Sequence, residues 1–325
     1  MAAEQVVISG VEWFGGDRHQ FDGHLQSLRV DLTLEILEVR QGEEKDQITI
    51  EQLGVDEEPY AGLDPVLVRE DQGIVYVQRL RMDGEGHILR PEEPCLVRIT
   101  LPRAYDGIVN IASRTGDVHL QDMDARSLDI HMRSGILKMH SCRLSGDMHV
   151  QGASGLAQVD STECPKIVVE MHSGSVHTHD LHCSYFRART FSGSQKHEVY
   201  AEDTITLDGY SGSVMLDGSA PTLETKTVSG AQKITVRDLH RADMSSKSGS
   251  IYLNVPASGT LREVKASTMS GGIHLLLPPD VRPIPQFESR TGTQRFISAD
   301  FTKTAQDVHI HASTLSGSLS IKPCS

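Results

Sequence analysis

Ser-Gly and Thr-Gly pairs recur along two thirds of the chain at nearly constant spacing, and this spacing limits the possible folds more than any other feature. The glycines are Gly116, Gly135, Gly155, Gly174, Gly193, Gly212, Gly230, Gly249, Gly271, Gly292 and Gly317, at intervals of 19, 20, 19, 19, 19, 18, 19, 22, 21 and 25 residues. A fixed period of this length marks a repeat architecture, in which each unit buries its apolar face only against its neighbours. Two and four residues past the glycine stand apolar side chains, as in Val118/Leu120, Leu137/Met139, Val214/Leu216, Ile251/Leu253 and Leu319/Ile321. His119, Lys138, Lys233 and Tyr252 occupy the position between. This period-two alternation predicts a strand with one buried and one wet face.

The same alternation precedes the glycine, as in Leu128/Ile130, Ile167/Val169 and Ile205/Leu207. Three residues before it the side chain is often small: Thr190, Gly209, Thr227, Ser246, Thr268, Thr314. Each repeat therefore reads as two short strands joined at a Ser-Gly corner, where glycine tolerates the sharp turn. A propeller blade would need about 40 residues, and leucine-rich repeats would show their leucine consensus. The expectation is an all-β solenoid: a parallel β-helix over residues 105–325, of about eleven coils with 19–20 residues each.

Residues 1–104 lack the repeat. Residues 25–53 read as two strands around the polar loop Gln41–Asp46, and Pro65–Glu70, Ile74–Met82 and Cys95–Leu101 as three more. Asp56–Asp64 and Met82–Pro94, rich in Gly, Pro and acid, read as loops. A solenoid end is an open sheet edge that needs covering, so 1–104 is expected to be a β-rich cap.

The net charge of −13 excludes a nucleic-acid backbone or an anionic membrane as the natural partner. No apolar run is long enough to span a bilayer as a helix, and the start lacks a signal-peptide pattern. The five cysteines include no C-x-x-C pair. The sequence as written thus suggests a soluble cytoplasmic chain, or one at the cell envelope or outside it if a leader has been removed.

Three stretches carry a resemblance. Cys95–Pro102 leading into Val109–Leu120, then Ser248–Pro256 and Ser270–Pro278, are similar to the entry and later coils of the bacterial putative-adhesin β-helix family, a group of unknown function with repeated Ser-Gly coils. The resemblance covers roughly residues 30–325 and implies a right-handed, single-stranded parallel β-helix. It implies surface adhesion only as far as the family's name does.

Met171–Cys183 concentrates four histidines and a cysteine, which raises the question of a metal. In the repeat register His177 and His179 stand outward on one strand face. A column His140, Asp160, His179, Glu198, Asp217 alternates imidazole with carboxylate. A surface charge ladder explains that column without a ligand; His177, His179 and Asp160 are the residues a metal would use. Gln195 and His197 fall where apolar residues are expected, which points to a possible register shift in that coil. Cys164 and Cys183 lie nine residues past their glycines and are expected to stack as a structural pair, as thiols or as a disulfide.

No G-x-S-x-G elbow, P-loop or H-E-x-x-H motif is present, so no catalytic residue and no cofactor is indicated. The favoured reading is a non-enzymatic scaffold that binds a protein partner or itself, through a helix face or through a C-terminal coil that ends abruptly at 314–325. The alternatives are a carbohydrate-active or polysaccharide-binding β-helix, for which aromatic platforms look scarce, and a histidine-rich metal-binding surface.

Overall fold

The computed structural model describes residues 4–8, 11–22, 25–44, 46–60, 64–82, 88–89, 91–256, 260–296, 301 and 306–324. The centre of the expected Met82–Pro94 loop and the terminal Ser325 lie outside them. Every regular element among the described residues is a strand. No helix is long and apolar enough to cross a membrane. The chain divides into two compact units, residues 1–164 and 165–325.

In the first unit two parallel columns of strands carry the coils. One stacks Ile74–Arg79, Ser27–Leu32, Ile108–Ser113, Ser127–Met132 and the start of Met148–Glu163. The other stacks Leu96–Leu101, Ile36–Gln41, Val118–Gln121 and Ile136–His140. Asp124–Ala125 and Arg143–Leu144 form a short third side. Antiparallel strands extend both columns: Val66–Asp71 and Val11–Gly16 on the first, Gln47–Leu53 and Arg18–Asp22 on the second.

The head differs from its sequence pattern at one telling point. Residues 25–41 look like one strand, yet the chain bends at Thr33–Glu35 and its two arms run in register with the two arms of the coil at 108–121. A coil is present there without a Ser-Gly pair. Glu35 makes the corner instead: its carboxylate accepts the backbone N–H groups of Thr33 at 2.6 Å and Leu34 at 3.0 Å. That carboxylate is wholly buried and is neutralised by Arg79, whose Nη1 lies 3.1 Å away. Arg79 also donates to the carbonyls of Asp64 and Glu93 and to the Tyr60 hydroxyl. Beside this network Gln52 accepts from the Val66 N–H and donates to the Asp64 carbonyl and the Cys95 sulfur. Burial pushes the Cys95 thiol up to about 11.

In the second unit the register predicted from the glycines holds coil after coil. The strand arm before the corner stacks Thr204–Gly209, Thr222–Ser229, Arg241–Ser248 and Glu263–Ser270. The arm after it stacks Val214–Ser219, Gln232–Arg237, Ile251–Asn254 and Ile273–Leu277. Two constraints make glycine obligatory between the arms. Gly193, Gly212 and Gly230 have φ of +142°, +122° and +137°, values that side chains disfavour. A Cβ at each would also lie within 1.9–2.1 Å of the carbonyl oxygen of the preceding coil's glycine. The small residue three places earlier has a role as well, because the Ser113, Thr190 and Thr227 hydroxyls donate to the carbonyls of Gly116, Gly193 and Gly230.

Gln195 and His197 point inward, 1% and 3% exposed, and pair in register with Val176 and Thr178. The register shift expected in this coil falls just past them, where His179 and Asp180 stand against the single residue Glu198 before Leu181 pairs with Val199. The polar side chains are satisfied from within. Gln195 donates to Thr190 Oγ1 and the Asp208 carbonyl, and Gln232 repeats this with Thr227 and the Ser245 carbonyl. His197 Nε2 lies 3.2 Å from Gln195 Oε1, an acceptor, so Nε2 carries the proton and Nδ1 accepts from Thr178 Oγ1 at 3.0 Å.

Burial holds His197 neutral, its pKa lowered from 6.5 to about 3. The unfolded chain therefore binds one more proton between those two values. Stability from this group is complete above about pH 6.5 and is lost as pH falls toward 3, by at most of order 5 kcal/mol. Acid titration of the unfolding free energy should show that slope, and His197→Leu should flatten it.

The last two coils occur in reversed spatial order. Leu319–Pro323 pairs on one side with Ile273–Leu277 and on the other with Gln294–Phe296. Gln306–Ser316 likewise lies between Glu263–Ser270 and Val281–Ser289. The glycine stack agrees, running from Gly271 to Gly317 to Gly292. The expectation of an open edge at 314–325 is thus corrected: the chain's final coil is flanked on both sides, and the outer one is 281–296.

That outer strand carries Pro283 and Pro285, paired with Val308 and Ile310. Proline lacks the N–H that a further strand would need, so this edge opposes end-to-end addition. Pro283→Thr/Pro285→Thr should raise self-association, read by light scattering across a concentration series. An unchanged, concentration-independent mass would remove the edge-blocking role.

Candidate functional site

The residues two places before each corner glycine form an outward column in the second unit: His172, Phe191, Tyr210, Val228, Lys247, Met269, Leu315 and Arg290. Phe191, Tyr210 and Met269 are about half exposed, at 49%, 51% and 49%. The rings stack along the column, His172 on Phe191 with centroids 5.0 Å apart and Phe191 on Tyr210 at 4.5 Å. Stacking at the strand repeat follows from the in-register coils.

Past Tyr210 the column drops to Val228, and the step opens a groove of about 700 Å³. Tyr210 and Met269 line it, with Val228 and the small Ser245 side chain between them. Arg187 and Asp208 form an ion pair at 3.1 Å within it. Arg189, Lys226 and Lys247 are exposed beside it. No carboxylate among the described residues comes within ion-pair distance of these three cations. In a chain of net charge −13 this is a local reversal of sign. Sequence reading missed the site because aromatic residues were judged by number, not by column; aligning on Gly−2 would have found it.

A second groove, of about 550 Å³, lies in the first unit among Trp13, Arg29, Tyr76, Asn110, Asp129 and His131. Its basic side chains already have neighbours: Arg29 sits over the Tyr76 ring at 5.7 Å, and His131 lies 3.3 Å from Asp129.

The histidines singled out by sequence stand on the opposite arm of the coil. His177 is exposed, with Lys196 as its strand neighbour, and an adjacent ammonium disfavours a cation there. His179 is exposed and lies 3.2 Å from Glu198, which neighbours Asp217 in turn. In the first unit Asp160 neighbours His140 and accepts from Gln158 at 2.8 Å. Among the described residues no group of three His, Cys, Asp or Glu is arranged to hold a metal. Cys164 is a buried thiol donating to the Gly146 carbonyl at 3.0 Å, and Cys183 is buried in the second unit. No disulfide joins any of the five cysteines.

Parallel coils turning on stacked glycines, with grooves on the sheet face and no assembled metal or nucleophile cluster among the described residues, define a β-solenoid-like repeat protein. The Toastrack DUF4097 family model matches residues 141–322, and the chain belongs to that family, whose function is unknown. The chain also matches three solved bacterial structures. One is a putative adhesin from Parabacteroides distasonis, 9% identical, covering 94% of this chain and 96% of that one, with a TM-score of 0.39. Another is a putative adhesin from Bacteroides fragilis, 11% identical, covering 94% and 96%, with a TM-score of 0.30. The third is a putative cell adhesion protein from Clostridium sporogenes, 7% identical, covering 94% and 99%, with a TM-score of 0.24. No curated protein matches the chain.

Proposed function

We propose that the chain is a right-handed, non-enzymatic β-helical scaffold that holds a partner on the sheet face ending at the Ser-Gly corners, with residues 1–104 capping the first coils. The observation that carries this reading is the exposed column of Phe191, Tyr210 and Met269 beside the groove. A contiguous run of exposed rings beside a groove marks an interaction site. Pro283 and Pro285 at the outer strand favour a face over an end as the place of contact. An adhesin-like role at the envelope or outside the cell is the setting in which such a face would work.

Cosedimentation of the labelled chain with bacterial envelopes tests this. Phe191→Ser/Tyr210→Ser should lower the bound fraction at least about fivefold. Met215→Ser/Tyr252→Ser, which removes exposed apolar groups from the other arm, should leave it unchanged. Equal binding by both variants, or none by the parent chain, would overturn the reading.

A further inference from the structure

We infer that the groove beside Tyr210 takes a uronate-bearing polysaccharide. The inference rests on the face-binding reading above and names its ligand. Phe191 covers one face of the Tyr210 ring at 4.5 Å, while the other looks across the step to Val228 into the groove. A flat, partly apolar ring can lie against that face, and Val228 and the small side chain of Ser245 leave room for it.

Charge narrows the class. Arg189, Lys226 and Lys247 surround the groove without a carboxylate partner among the described residues, so the ligand is an anion. The guanidinium of Arg189 suits a planar carboxylate, which it can bind through two parallel N–H groups. Asp208, held by Arg187 at 3.1 Å, places an acceptor in the same groove. An acceptor among cations serves a ligand that also donates, as sugar hydroxyls do and a simple polyanion does not. The groove crosses five successive coils, from Phe191 to Met269, which suits an extended chain more than a compact solute. A polyuronate supplies all of these: a ring, a carboxylate on it, hydroxyl donors and extension.

The test titrates the full chain with oligomers of polygalacturonate, with their methyl esters and with polyglutamate. Polygalacturonate should bind at least about tenfold more tightly than either control, and its affinity should fall as salt rises. Tyr210→Ser and, separately, Lys226→Ala/Lys247→Ala should each weaken it about tenfold with an unchanged unfolding midpoint. The lysine pair is exposed and keeps the test valid if the tyrosine change disturbs the stack. Equal binding of polyglutamate would reduce the site to a polyanion patch and overturn the proposal. Equal binding of the methyl ester would remove the role of charge and overturn it too. If polygalacturonate fails to bind while envelopes still do through Phe191 and Tyr210, the ligand class is wrong and the binding face stands. Failure of both overturns both.

Discussion

Gly230→Ala should destabilise the protein by of order 3–5 kcal/mol, a severe effect for the addition of one methyl group. Two independent penalties combine at this position. The backbone sits at φ +137°, a conformation that alanine adopts only under strain. The new Cβ would also stand 2.0 Å from the Gly212 carbonyl oxygen, which is backbone and cannot rotate away. The only relief is to separate two coils, which breaks the strand hydrogen bonds on both arms. Denaturant unfolding of the variant is the measurement. Gly209→Ala is the control, since a Cβ there meets only side-chain atoms at 3.3 Å and beyond; it should cost well under half as much. Similar losses at both positions would mean that the corners do not set the coil spacing.

Arg79→Met should cost about 3–5 kcal/mol, because it leaves the Glu35 carboxylate buried without its counter-charge. Glu35→Leu/Arg79→Met should recover much of that loss, since a buried pair replaced as a pair costs far less than a pair broken. Recovery will be incomplete, as Thr33 and Leu34 would lose the acceptor for their N–H groups. A double-mutant cycle in urea separates the two contributions. Additive losses would show that Glu35 and Arg79 act independently, contrary to their contact. The double variant also tests whether the first coil needs its carboxylate corner or only a neutral one.

The repeated coils were legible in the sequence because they are written in local signals: a corner glycine every 18–22 residues and alternation on each side. The two arms of each coil between Ile108 and Leu277 follow from that register. Three features escaped for physical reasons. The coil at 27–41 has no Ser-Gly pair, since the Glu35 carboxylate replaces glycine at its corner, and its partner Arg79 is 44 residues away. The inward Gln195 and His197 violate the apolar pattern, and only the hydrogen bonds of Thr178, Thr190 and the Asp208 carbonyl explain how the core accepts them. The exchanged order of the last two coils is topological, since the local pattern around Gly292 and Gly317 is the same whichever coil lies outside. The 25-residue interval between Gly292 and Gly317 was its only trace. At the candidate site, strand alternation alone reads His177 and His179 as outward, and both are exposed, whereas the ring column around Tyr210 depends on stacking between coils.

The out-of-order final coils bear on how the molecule is made. During synthesis residues 281–296 emerge before 306–323, and their intended neighbour does not yet exist. Until then the edge at Glu263–Ser270 and Ile273–Leu277, which residues 306–323 finally cover, stays open. The coil at 281–296 pairs with 306–323 alone, so this end of the solenoid closes only when those residues are in place.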